Sequence, residues 1–150
     1  MPINEAQFVA LLNSAPVVDG EIIETLDTVP LRRVRDDLHR VIRGEADPEI
    51  LNSYLEGVTR VPEIARGSAT ITWQVAGPAR TLPLAEVVLE WSRVQAELPG
   101  RLRPCGNPEC NKFLIDHSKP NTARWCSMAS CGNRMKARRY QSKKTERANG

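Results

Sequence analysis

Apolar positions recur at helical spacing in four stretches of the chain. Asn4–Ser14 sets Phe8, Leu11 and Leu12 on one face, and Pro16 with Asp19-Gly20 breaks the run. Pro30 suits a first helical turn, and Leu31, Val34, Leu38, Val41 and Ile42 follow as a stripe that Gly44 ends. Asp47-Pro48 is a cap plus first-turn proline, which predicts a second helix carrying Ile50, Leu51, Tyr54, Leu55 and Val58. Leu84, Val87, Val88, Trp91, Val94 and Leu98 form the last stripe, stopped by Pro99-Gly100. Between them Ala69–Val75 alternates and is rich in β-branched residues, so it predicts a strand paired with Pro62–Ala65 or Ala79–Leu82. Glu21–Leu26 fits neither period. Trp73 and Trp91 are expected in the core, and His39 on a polar, solvated face. The pattern predicts a mainly α fold with a small β-hairpin (α+β).

Length changes this picture little: 150 residues allow one domain, or one domain and a small module. No apolar run approaches the roughly 18 residues of a membrane helix. The first twelve residues have no basic stretch leading into an apolar one, so a cytoplasmic protein is expected. Charge changes the picture more. Residues 1–100 carry nine Arg against fifteen Asp/Glu, whereas residues 101–150 carry twelve Lys/Arg against three Asp/Glu and all four cysteines. The chain therefore reads as a helical part, residues 1–99, a basic cysteine-bearing module, residues 100–145, and a frayed tail, residues 146–150.

Cys105, Cys110, Cys126 and Cys131 form two C-x4-C pairs. Disulfides suit oxidising compartments, while short-spaced pairs in an intracellular chain read as a metal site. Zinc takes four thiolates in a tetrahedron, and its binding supplies folding energy that a module this small lacks. Pro104, Gly106, Asn107 and Pro108 mark a tight turn around the first pair, and Lys112–Asp116 fits a strand. Ser127 suits the cap of a helix running to Lys144, with Cys131 in its first turn. Knuckle, hairpin and ligand-bearing helix make a treble-clef-like arrangement. With four cysteines available, His117 is not needed as a ligand.

The run Arg124-Trp125-Cys126-Ser127-Met128, then Cys131-Gly132-Asn133-Arg134-Met135-Lys136-Ala137-Arg138-Arg139-Tyr140, resembles the CGNR zinc finger over about residues 100–145. That module ends bacterial proteins whose preceding helical region is called the ABATE domain, described as stress-induced or general transcription regulators. Val29–Leu98 is similar to the middle of that region. Its usual opening, a Leu-Asp-Leu-Val-Asn-Thr-like stretch, survives here at most as a remnant in Ile23–Thr28. The resemblance implies a DNA-binding transcription regulator whose helical part senses a signal, forms a homodimer, or both.

On the C-terminal helix, Lys136, Arg139, Tyr140, Lys143 and Arg147 fall on one face at about 100° per residue, with Met128, Cys131 and Met135 on another. Arg134, Lys136, Arg138, Arg139, Tyr140, Lys143 and Arg147 are the candidate nucleic-acid residues, duplex DNA the first candidate partner. An acidic protein or structured RNA would meet the same charges. Gly132 and Asn133 read as structural, Arg134 as either a base reader or a brace. Trp125 and Phe113 read as lids of the module's small core. No nucleophile elbow, phosphate loop or HExxH motif occurs, so no catalysis is expected.

Overall fold

A computed structural model describes residues 2–149. Helices α1 (Glu5–Leu12), α2 (Val29–Ile42) and α3 (Leu82–Glu97) pack together with a 3-10 helix, Pro48–Tyr54. Three antiparallel strand pairs accompany them: β1 (Val17–Val18) with β2 (Glu21–Ile22), β3 (Thr59–Ile64) with β4 (Ile71–Ala76), and β5 (Leu102–Pro104) with β6 (Phe113–Ile115). A π-helical turn, Met128–Gly132, opens the last helix, α4 (Asn133–Asn149). Helix thus reaches Asn149, where a frayed tail was expected from residue 146; Gly150 lies outside the described residues.

The local chemistry explains most boundaries. Asn4 and Gln7 cap α1 reciprocally. Asp19 and Gly20 both have positive φ and close β1 onto β2, a two-residue hairpin where the sequence suggested only a break. Asp47 caps the next element through the Glu49 N–H, but the element is 3-10 rather than α. Residues three apart eclipse in that helix, so Leu51 and Tyr54 both point into the core. The Tyr54 hydroxyl donates to Asp37 and ties the element to α2. β4 pairs with the Pro62 segment rather than with residues 79–82.

Two polar groups lie deeper than the pattern suggested. Arg35 is buried on α2, and both its terminal nitrogens donate to Glu24 at 2.6 Å. That pairing holds the Glu24 carboxyl down at about 2, and with Thr25 on the Ser14 carbonyl and Arg32 on the Leu26 carbonyl it ties residues 24–26 to the helices. Glu90 of α3 is likewise buried and paired with Arg93.

The expected boundary at residues 99–100 falls where α3 stops, yet packing runs across it. Phe113 of β6 is 1% exposed and sits in one cluster with Phe8, Leu12, Val34, Leu38 and Val94. It is a core residue of the helical part, not a lid of the small module. Asn13 at the end of α1 bonds both the N–H and the carbonyl of Phe113. Asn111 donates to the Ala15 carbonyl and accepts from the Val17 N–H. His39, expected in solvent, lies half-buried against the Phe113 ring and bonds the Leu12 carbonyl at 2.7 Å. Burial lowers its pKa, so the neutral ring is the donor there.

A shared core predicts shared stability. Phe113→Ala should cost about 3–5 kcal/mol. Its calorimetric melt should remain one transition, whereas loss of the C-terminal signal alone would show two independent cores.

Candidate metal centre and basic helix

The centre is assembled from two loops. β5 and β6 form the stem of the first: the Cys105 N–H donates to the Lys112 carbonyl, and the Cys110 N–H to the Asn107 carbonyl. The second loop is delivered by residues 116–125. Asp116, buried at the end of β6, accepts from the Ser118 N–H and hydroxyl and from the Ala123 N–H. Arg103 lies 3.5 Å from the same carboxylate and donates to the Ala123 carbonyl. Arg101 donates to the Asp116 and Ser118 carbonyls. Two of the module's arginines are therefore spent on backbone rather than offered to a partner. These bonds, the Ser118 hydroxyl foremost, hold the Asp116 pKa at about 2 against the effect of burial.

The two loops bring Cys105, Cys110, Cys126 and Cys131 together with every sulfur within 4.8 Å of the others. Cys126 lies 3.7 Å from Cys110 and 3.6 Å from Cys131. A disulfide needs about 2.05 Å, and all four thiols are free. A tetrahedral metal with bonds of about 2.3 Å sets its sulfurs roughly 3.8 Å apart, so the cage fits zinc. Donors are aimed at the sulfurs as well. The Lys112 N–H points at Cys110 from 3.4 Å, the Cys126 N–H at Cys105 from 3.3 Å, and the Asn107 amide at Cys131 from 3.4 Å. Burial and the neighbouring sulfurs push the Cys126 thiol far up, and burial raises Cys110. Burial acts on Cys131 in the same sense, but the Asn107 amide and the other cysteines bring it down to about 7. A cation among them would remove the repulsion that opposes ionising all four.

Asn107 is the residue the sequence hid. Its surroundings marked it only as a turn residue, yet it is 1% exposed, accepts from the Glu109 N–H and donates to a ligand sulfur. Trp125 is the expected lid. A Cβ on Gly106 would stand 3.2 Å from its ring, and one on Gly132 3.2 Å from the ring and 2.8 Å from the Met128 sulfur. Both glycines are needed for close packing. Asn133, by contrast, is exposed, and its side chain bonds none of the described residues. His117 lies away from the cage, beside Glu5.

Ser127 caps the final helical run, as its position suggested, but the first turn is π rather than α. The Gly132 N–H reaches back five residues to the Ser127 carbonyl. Cys131 sits in that wide turn, and α4 then leaves the body, with Met135 its one half-buried side chain among residues 133–148. Lys136, Arg139, Tyr140, Lys143 and Arg147 are all exposed on its outer face. Arg134 and Arg138 share the opposite face. Arg138 pairs with Glu109 of the first knuckle at 2.5 Å, and Arg134 lines a cleft of about 600 Å³ with Glu109 and the Val17–Gly20 turn.

Residues 101–144 match the family model of the CGNR zinc finger. No curated protein matches the chain.

Three outcomes follow. Purified chain should carry one zinc per molecule, and Asn107→Ala should weaken zinc about 10–100-fold in a competition assay with a chromogenic chelator. The depressed Asp116 pKa means its contribution is complete above the ordinary carboxylate range and lost as pH falls toward about 2. Asp116→Asn should therefore remove part of the acid dependence of unfolding between about pH 4 and 2, seen as a flatter stability profile there.

Proposed function

We propose that this chain is a nucleic-acid-binding transcription regulator of the bacterial cytoplasm, with duplex DNA as the first partner. A structural zinc in the four-cysteine cage fixes the start of α4, in the manner of a treble clef, and the outer face of that helix meets phosphates. The helical part, similar to the ABATE region, senses or assembles. Four thiolates would leave zinc no open position, so the reading is a non-catalytic one.

One observation carries this reading. α4 projects 17 residues, about 25 Å, from the body with a single acid, Glu146, among its cations. A helix that buries almost nothing gains nothing from packing, and its charge is the feature left to be used. Lys136, Arg139, Lys143 and Arg147 face outward without an ion-pair partner among the described residues. Arg138 is left out of the contact face because Glu109 already holds it, and Arg134 because it shares Arg138's side of the helix, away from the outer face.

Affinity for duplex DNA should fall by about 0.9 log units per log unit of salt for each phosphate neutralised. Replacing Lys136 and Lys143 together by Ala should flatten that slope by roughly two and weaken all sequences alike. Arg134→Ala should leave the slope unchanged. A loss of about 1–3 kcal/mol confined to one sequence would instead make Arg134 a base reader. Tighter binding to structured RNA would move the assignment to RNA. No affinity for either, by zinc-loaded protein at low salt, would leave the helix to an acidic protein.

A further inference from the structure

The β3–β4 hairpin is an arm exposed on both faces. Every residue of β3 is exposed, and so is every residue of β4 except the half-buried Val75. Its register sorts its side chains by chemistry. Directly opposed residues share a face. One face holds Thr59, Val61 and Glu63 with Ala76, Gln74 and Thr72. The other holds Arg60, Pro62 and Ile64 with Val75, Trp73 and Ile71. That second face is apolar apart from Arg60 at its base, and it looks outward: Ile64 is 65% exposed, Ile71 56% and Trp73 52%. Trp73 was expected in the core. The Arg60 guanidinium lies over it, 5.2 Å from the ring centre.

An amphipathic hairpin ordinarily lays its apolar face on a core, and a two-stranded pair alone is marginal in water. We propose that the face formed by Pro62, Ile64, Ile71 and Trp73 is a self-association surface, which stacks on the same face of a second copy across a two-fold axis. The face suits a copy of itself. It carries no carboxylate, and its single cation lies at one end and is already turned onto Trp73, so no like charges are trapped at the centre. The other polar members of the hairpin, Thr59, Glu63, Thr72 and Gln74, all point the other way. The exposed parts of Ile64, Ile71, Trp73 and their neighbours amount to roughly 400 Å² per copy, or on the order of 800 Å² in all. That is small for a stable complex and sets the expectation of a weak, readily dissociating dimer.

Sedimentation equilibrium on the full, zinc-loaded chain tests this across a micromolar series. The mass should rise toward twice 16.7 kDa with concentration. Trp73→Glu and Trp73→Lys should each stay monomeric, and an equimolar mixture of the two should associate again, which an unfolded hairpin would not do. The double variant Thr72→Glu/Gln74→Glu, on the opposite face, should associate like the parent. A parent that is monomeric throughout overturns the proposal and leaves the face to a different protein. A dimer that survives both Trp73 variants, or one broken only by the Thr72/Gln74 change, overturns it equally and places the interface elsewhere. The readout involves no nucleic acid, so it stands or falls apart from the role of α4.

Discussion

Four sulfur atoms within 4.8 Å of one another set the terms for everything beyond residue 100. As thiolates they repel, and as thiols they waste a cage built for charge. The chain invests heavily in keeping them there. Asn107 and two backbone N–H groups face the sulfurs, and the Asp116–Arg103 cluster carries the loop that delivers the second pair. A module with so few apolar side chains has little else to hold that geometry. A cation at the centre would make these arrangements mutually supportive.

The module is also not self-contained on its other side. Phe113 leaves the two-stranded stem and enters the helical core, and Asn13 closes the β6 backbone as a neighbouring strand would. The geometry of the cage is thereby coupled to the packing of α1, α2 and α3. Anything that loosens Phe113 acts on the cage through β6, whose neighbour Lys112 donates to Cys110.

Legibility followed the range of each interaction. The four cysteines, the Ser127 cap and the outer face of α4 are local or periodic features, and each appears where the spacing placed it. The CGNR resemblance rests on one contiguous run, and the match to residues 101–144 covers it. Long-range pairings were hidden. Arg35 sits in a polar run of α2, and its bonds to Glu24, eleven residues earlier, and to Ser14 and Asp36 make burial tolerable. His39 became part of an interface because Phe113 came to it. Trp73 misled in the opposite direction: β-branched alternation located the strand correctly, but alternation cannot say which side of a hairpin has a core beside it.

The π turn at Met128–Gly132 has a bearing on aim. A π turn spends about one residue more per revolution than an α turn, and each residue along a helix advances the azimuth by about 100°. The wide turn therefore sets the phase of everything after it, and with it the sector into which Lys136, Lys143 and Arg147 project. Deleting the exposed Asn133 would leave the net charge and the four cysteines unchanged while rotating the basic stripe by about a quarter of a revolution. Arg134 and Arg138 would be carried off their places over the first knuckle in the same motion. The number of residues in this joint, and not only their identity, determines what the helix faces.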